Sequence, residues 1–150
     1  MADLTVATIA SRLEGTVSGL SGWTLAPMPV DLLARSTRPL LHKAASVFLR
    51  ATSPRAGGVS SGRRQTASLG AYCDTFADVQ WAYRIRPDAY ASDIRAAYDA
   101  ESDLVEALMG SSLSDLQLTV VRLDRALLDT RTAILGTVSL RAVHSLALAA

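Results

Sequence analysis

Apolar side chains near the start of the chain recur at intervals of three and four residues. They are Val6, Ile9, Leu13, Val17 and Leu20. This spacing places them on one face of a helix. Asp3 or Thr5 can cap its start, and Gly19 and Gly22 can end it. The pattern predicts an N-terminal helix over residues 4–20.

The segment that follows has no clear period. Trp23 opens an extended stretch, which the two prolines after it keep out of helix. Within residues 31–43, Asp31 favours a short helix, whereas Pro39 would break it. A helix and a loop therefore both stay open for these residues.

Two strands separated by a polar segment are predicted for the middle of the chain. Residues 45–51 (ASVFLRA) predict the first strand, and residues 52–68 (TSPRAGGVSSGRRQTAS) predict a long, exposed, flexible loop. From Val79 to Ile85, apolar residues alternate with more polar ones. This period of two is typical of a strand with one buried face.

The clearest helical pattern follows that strand. Pro87 and Asp88 begin a helix of about 20 residues, roughly 30 Å long, and Gly110 ends it. An apolar stripe and a polar stripe lie on opposite sides of this helix, and only Glu101 interrupts the apolar one. Residues 116–148 predict two or three closing strands. The element order favours an α+β fold, with an N-terminal helix and one long amphipathic helix packed on a mainly antiparallel or mixed sheet.

Composition fits one folded domain over residues 1–150, because 49% of the residues are hydrophobic and 19% are charged. The formal net charge of +1 gives no overall field that would attract nucleic acid or anionic lipid. Charge is nevertheless segregated. Residues 88–109 hold six acids and one base, whereas residues 50–86 hold six arginines and two acids. Such a distribution suits a protein that contacts copies of itself or a polar neighbour.

Cysteine content and hydropathy indicate a cytosolic site of synthesis. Cys73 is the only cysteine, so no internal disulfide can form. The sequence starts without the basic and apolar regions of a leader, and the apolar run at 142–150 is too short to span a bilayer. We expect neither secretion nor membrane insertion.

Residues 58–62 (GVSSG) match the G-x-S-x-G nucleophile elbow with Ser60 as the nucleophile, and Asp124 and His144 follow in the order of an α/β-hydrolase. The elbow requires an apolar strand before the serine and a helix after it. Here the motif lies inside the polar segment, which favours a plain loop.

A phosphate-binding loop is a second near match in the same segment. Gly57 and Gly62 have Walker A spacing, but Arg63 and Arg64 stand where a lysine and a hydroxyl residue are required. The arginines can still contact phosphates, although no aromatic residues lie between them for base stacking. A solvated loop is the favoured interpretation.

Metal and thiol chemistry have little support in the sequence. His42 and His144 are the only histidines, and no spacing rule joins them to Cys73 or to a carboxylate. Cys73 with His144 as its base lacks a local signature, and a single cysteine is usually a small buried residue. We expect no metal, no cofactor and no enzymatic activity.

Glu101 is unusual, because an ionised carboxylate on an apolar stripe is costly unless it is paired or lies at an interface. We expect it to be at least half buried with a basic or hydroxyl partner. A pair with a sheet arginine such as Arg84 or Arg86 is favoured over a contact between subunits.

The opposite stripe of the same helix is acidic and is either simply solvated, in contact with the basic loop of a neighbouring copy, or a surface that repels DNA. The residues proposed for interactions are Arg55, Arg63, Arg64, Asp99, Glu101, Asp103 and Glu106.

Read in order, these features resemble the tail terminator proteins of long-tailed bacteriophages. They are the helix over 4–20, the strand FLRA, the polar loop 52–68, the strand DVQWAYRIRP, the helix AYASDIRAAYDAESDLVEALMG, and the closing strands LTVVRL and TAILGTVSLRAV. The resemblance covers most of the chain.

The resemblance implies a structural virion protein, assembled in the bacterial host cytoplasm and located at the junction of tail and neck. It implies a homohexameric ring that caps the tail tube, stops its growth and joins it to a neck or connector protein. DNA would pass through the lumen without being read, and the long loop would become ordered on assembly. Another neck protein, such as a stopper or connector adaptor, stays open, as does a small cytosolic ligand-binding domain or enzyme.

Overall fold

The computed structural model describes residues 4–26, 42–54, 72–113, 115–128 and 131–145. In chain order the elements are α1 (Val6–Gly19), β1 (Thr24–Leu25), β2 (Ala44–Pro54), β3 (Tyr72–Arg84), a 3-10 turn (Pro87–Ala89), α2 (Tyr90–Met109), β4 (Leu116–Leu127) and β5 (Ala133–Ser145). The strands form one mixed sheet in the order β1-β2-β3-β5-β4. The short β1 runs parallel to β2, and the other neighbours are antiparallel. The α+β prediction is confirmed.

The core lies between the two helices and one face of the sheet. Alternate residues of β3 and β5 face it, as expected for strands with one face covered by helices. Helix α1 buries Ile9, Leu13 and Val17, and α2 buries Leu104 and Leu108 in the same cluster. Both helices therefore contribute to one core.

Helix α1 agrees closely with the predicted N-terminal helix. Thr5, one of the two expected caps, accepts a hydrogen bond from the backbone N–H of Thr8 at 3.1 Å. The helix ends at Gly19, and Gly22 takes the left-handed conformation (φ 83°) as the chain turns towards β1. The extended stretch predicted after Trp23 is confirmed as β1. Residues 27–41, which include most of the ambiguous segment, lie outside the described residues.

Strands β2 and β3 are longer than the sequence indicated. Residues 52–54 belong to β2 and pair with residues 73–75, so the start of the predicted loop is corrected to strand. Residues 72–78 extend β3 before Val79, because Cys73, Thr75 and Ala77 continue its buried face. Polar Thr75 and the aspartates around it obscured this alternation in the sequence. The rest of the predicted loop, 55–68, lies outside the described residues.

The closing segment forms one hairpin of two strands, the lower of the two predicted numbers. Strand β4 continues through the polar residues 122–127. A bulge at Val121 interrupts its pairing with β5, because Val120 lies opposite Leu140 and Arg122 opposite Ser139. Since side chains alternate between faces, this extra residue reverses the facing of everything after it.

On the helix-facing side of the sheet, the indole of Trp81 on β3 lies directly against Gly136 of β5. The two residues are paired in register, and Trp81 is fully buried. A β-carbon at position 136 would overlap the indole ring. Glycine is required here because the ring occupies the space of a side chain.

We therefore expect Gly136→Ala to lower the free energy of unfolding by about 2 kcal/mol or more, since over-packing a rigid core commonly costs about 1–3 kcal/mol. Urea unfolding followed by tryptophan fluorescence measures the change. Gly15→Ala is the matched control, because position 15 in α1 has open space around it. That variant should be neutral or stabilising by up to about 1 kcal/mol. Equal losses of stability at the two positions would contradict the requirement for glycine beneath the Trp81 ring.

Candidate interaction surface

Glu101 is buried and ion-paired, as predicted. Its exposed fraction is 3%, and it lies on the face of α2 that packs against the sheet. Arg125 of β4 donates from Nε to both carboxylate oxygens at 2.9 and 3.0 Å, and from Nη2 to Oε1 at 2.6 Å. This bidentate contact raises the pKa of Arg125, chiefly through the hydrogen bond to Glu101.

The favoured partners of Glu101, Arg84 and Arg86, are corrected to Arg125. The bulge at Val121 explains why the sequence did not indicate it. Counting in twos from Leu116 puts Arg125 on the face away from the helices, whereas the bulge returns it to their side, opposite Gly136. The guanidinium also lies 5.5 Å from the centre of the Tyr98 ring.

A second ion pair, which the sequence did not predict, fixes the start of α2. Asp93 accepts hydrogen bonds from the backbone N–H of Arg86 at 2.8 Å and from its Nε and Nη2 at 3.0 Å. These bonds, the side-chain one first, lower the pKa of Asp93 to about 2. Only its position in the first turn of the helix signalled a structural role.

The acidic stripe of α2 is exposed, with Asp99, Asp103 and Glu106 all on the solvent side. Across the part of the chain that the structure describes, none of the three forms an ion pair. The stripe is therefore available to a partner. The basic residues proposed to meet it, Arg55, Arg63 and Arg64, lie outside the described residues.

A shallow, mainly apolar groove runs between α2 and β4. Its volume is about 480 Å³, and its walls include Tyr90, Ile94 and Tyr98 of α2, Leu127 of β4 and Ile134 of β5. Tyr90 and Tyr98 are 43% and 49% exposed. Apolar side chains left in water beside a sheet edge are typical of surfaces that contact another protein.

Strand β4 forms one edge of the sheet, and its second half is exposed at every position from Val121 to Leu127. Val121 is 55% exposed and Leu123 36%. The outer backbone groups of β4 have no partner strand among the described ranges. A long exposed edge strand with unpaired outer backbone groups is a template for pairing with another chain. The sequence predicted closing strands here, but it did not indicate which of them lies at the edge of the sheet.

The opposite edge of the sheet is also largely open. Strand β1 covers only Ala44 and Ala45 of β2, so the remainder of β2, from Ser46 to Pro54, has no outer partner within the described segments. Phe48 on this strand is 57% exposed. The two open edges differ in sequence and in neighbours, since the acidic α2 lies beside one and the basic segment follows the other.

Cys73 and His144 lie opposite each other in the β3–β5 pairing, and both are buried. His144 Nδ1 contacts the carbonyl of Ser145 at 2.8 Å, so Nδ1 carries the proton and Nε2 accepts from the Thr75 hydroxyl at 2.7 Å. Burial, and then Asp74, raise the pKa of the Cys73 thiol. A raised pKa disfavours the thiolate that nucleophilic chemistry needs. Hydrogen bonding within the sheet accounts for the arrangement.

The remaining sequence candidates are placed as follows. The G-x-S-x-G match with Ser60 and the Walker-like residues 57–64 lie outside the described residues. Asp124 is on β4 and pairs with Arg122 at 2.9 Å. Within the described segments, no three His, Cys, Asp or Glu side chains come together as a metal site would require. None of the described helices combines the length and apolarity needed to cross a membrane.

Comparison with protein-family models finds no match to this chain, and comparison with curated proteins finds none either.

Arg125→Ala should lower the free energy of unfolding by about 2–4 kcal/mol, because it leaves the buried Glu101 carboxylate without its counter-charge. Arg122→Ala is the matched control on the same strand, since its pair with Asp124 is exposed and should contribute under about 1 kcal/mol. Chemical denaturation of both variants gives the comparison. Similar losses for the two would show that the Glu101 contact adds no more than a surface pair.

Stability should decline in acid partly through Asp93. Its folded pKa, about 2, lies below the ordinary value of 3.8, so its contribution is present above pH 4 and is lost as the pH falls towards 2. Asp93→Asn should therefore be less stable than the wild type near neutrality and should lose less stability between pH 4 and 2. Urea midpoints measured across that range test this. Asp99→Asn, at an exposed position, should show the same dependence of the urea midpoint on pH as the wild type. If Asp93→Asn also shows the wild-type dependence, Asp93 does not contribute to the loss of stability in acid.

Proposed function

We propose that this chain is a structural protein that assembles through its sheet edges into a closed ring of identical copies, as the tail terminator of a long-tailed bacteriophage. In that role the ring caps the tail tube and joins it to a neck or connector protein. The observation that carries the proposal is the exposed edge of β4, from Val121 to Leu127, where apolar and charged residues are mixed, beside the apolar groove formed with α2.

The difference between the two edges supports a ring. A contact between identical surfaces closes as a dimer, whereas a contact between two different surfaces of one protomer repeats and closes as a ring when the rotation permits. Here β4 with α2 forms one side, and β2 forms the other. Pairing β4 of one copy with β2 of the next would satisfy both sets of outer backbone groups.

Charge supports the same arrangement. The acidic stripe of Asp99, Asp103 and Glu106 lies on α2, whereas Arg55, Arg63 and Arg64 follow β2 in the sequence. Opposite charges on different elements favour contacts between unlike surfaces and disfavour contacts between like ones.

The face of the sheet away from the helices suits a surface past which DNA slides. Asp78 pairs with Arg50 at 3.3 Å and accepts from Ser139 at 3.2 Å, and Arg122 pairs with Asp124. Arginines neutralised by neighbouring carboxylates release few counterions from DNA, so they hold its phosphates weakly. This is consistent with passage of DNA through the lumen without recognition.

The oligomeric state tests the proposal. We expect the wild-type protein to form a uniform ring, alone or on tail tubes, by light scattering and negative-stain microscopy. Val121→Lys should yield monomers, because a charge on an edge strand opposes pairing with another strand. Tyr72→Lys is the control, since it adds the same charge at a similarly exposed site, 51%, on the interior strand β3. Ring formation should survive that change.

Three outcomes would contradict the proposal. Unaltered rings in Val121→Lys would remove the β4 edge from the interface. A wild-type protein that stays monomeric with tail tubes and carries a bound metabolite would favour the ligand-binding alternative. Rings that bind isolated capsid connectors and leave tube ends uncapped would identify a stopper or adaptor instead.

A further inference from the structure

A second cleft, separate from the α2–β4 groove, opens at the end of the sheet where β3 leads into α2 and β5 begins. Its volume is about 570 Å³. The lining residues that matter for its chemistry are His42, Tyr83, Arg84, Arg86, Asp93 and Thr132. Neither the ring contact nor any sequence motif accounts for this cluster.

Among the described residues that line the cleft, the one carboxylate is already neutralised. Asp93 uses both oxygens to accept from Arg86, through the backbone N–H, Nε and Nη2. Arg84 forms no ion pair with a carboxylate in the described ranges, and its charge and that of Lys43 both act on His42. The described lining of the cleft therefore has an excess of positive charge.

The orientation of His42 adds a hydrogen-bond donor to this charge. Its Nδ1 accepts from the backbone N–H of Arg84 at 3.2 Å, which places the proton of the neutral ring on Nε2. Tyr83 contacts the imidazole edge-on, with ring centres 4.5 Å apart, and holds its plane. Burial, followed by the charges of Arg84 and Lys43, lowers the pKa of His42, against a smaller opposing effect of Asp93.

The backbone on both sides of the cleft is in an uncommon conformation. Lys43 (φ 48°) and Arg131 (φ 56°) are the two non-glycine residues with positive φ among those described, and each adjoins a lining residue, His42 or Thr132. Left-handed conformations cost energy for such residues and persist where the surroundings impose them. The cleft is thus shaped by the fold and does not follow from local sequence preference.

We propose that this cleft binds a phosphate group, held by the guanidinium of Arg84 and by His42. A guanidinium without a described carboxylate partner, an imidazole N–H and a carboxylate that is already occupied suit an oxyanion and not a cation. The phosphate belongs either to a small phosphorylated molecule or to the backbone of DNA. The two sources present the same chemistry to the cleft, so the experiment must separate them.

The test is a ¹H NMR titration of the His42 ring in the intact protein, with inorganic phosphate replacing chloride at constant ionic strength. A bound anion offsets the charges of Arg84 and Lys43, so the pKa of His42 should rise. His42→Gln assigns the resonance. Arg84→Gln should weaken phosphate binding at least tenfold, whereas Arg95→Gln, which removes the same charge from an exposed site on α2, should not.

A short DNA duplex added to the phosphate-bound protein separates the sources. Displacement of phosphate by DNA, abolished in Arg84→Gln, would identify the DNA backbone, and phosphate binding unaffected by DNA would identify a small phosphorylated ligand. Either result supports the proposal that the cleft binds a phosphate group. The same His42 pKa in phosphate and chloride, or equal weakening by Arg84→Gln and Arg95→Gln, would overturn it. Ring formation is measured separately, so failure of one proposal leaves the other standing.

Discussion

The bulge at Val121 is the constraint on which the candidate interaction surface depends. It reverses the facing of β4, so Arg125 comes under α2 and meets Glu101. Without it, a buried carboxylate would lack its counter-charge and Arg125 would point away from the helices. The bulge also leaves Val121 exposed at the edge of the sheet, without a partner residue on β5. One local irregularity thus both anchors the long helix and shapes the surface beside it.

Two ion pairs determine where α2 lies on the sheet. Arg86 holds Asp93 in the first turn, and Arg125 holds Glu101 in the middle. Arg86 lies in the connection after β3 and Arg125 on β4, so the two pairs tie α2 to two different parts of the sheet, in addition to its apolar packing. Because the inward positions are used in this way, the remaining acids of the helix face solvent. The acidic stripe is thus a consequence of how α2 is anchored.

The sequence predicted most of the fold, because its elements have regular periods. The two helices, the second half of β3 and the burial of Glu101 followed from spacings of two, three and four, but the predicted helix start at Pro87 and Asp88 is a 3-10 turn and α2 begins at Tyr90. It did not predict the first half of β3, where Thr75 takes a buried position through its hydrogen bonds to other side chains. Polar residues satisfied in this way interrupt the apolar alternation on which such predictions rest.

The candidate site was less predictable, since it depends on pairing register and not on composition. Arg125 became the partner of Glu101 through a bulge that leaves no composition signal, and the β4 edge is recognisable only once the strand order is known. His42, by contrast, was visible as one of two histidines but had no partner in the sequence. Its cleft arises because β2 and β3 bring residues 42 and 84 together.

The strand order also constrains how copies of this chain can meet. The described sheet has two unlike open edges, which are β4 beside α2 and the part of β2 that β1 does not cover. A dimer in which one edge pairs with the same edge of a second copy leaves the other edge unpaired. A symmetric dimer through β4 would still leave Phe48 and the outer side of β2 in water. Contact between β4 and β2 uses both edges at once, and it leaves no free strand only if the chain of copies closes. In the proposed assembly every protomer makes this same contact, which pairs both edges that the described residues leave open.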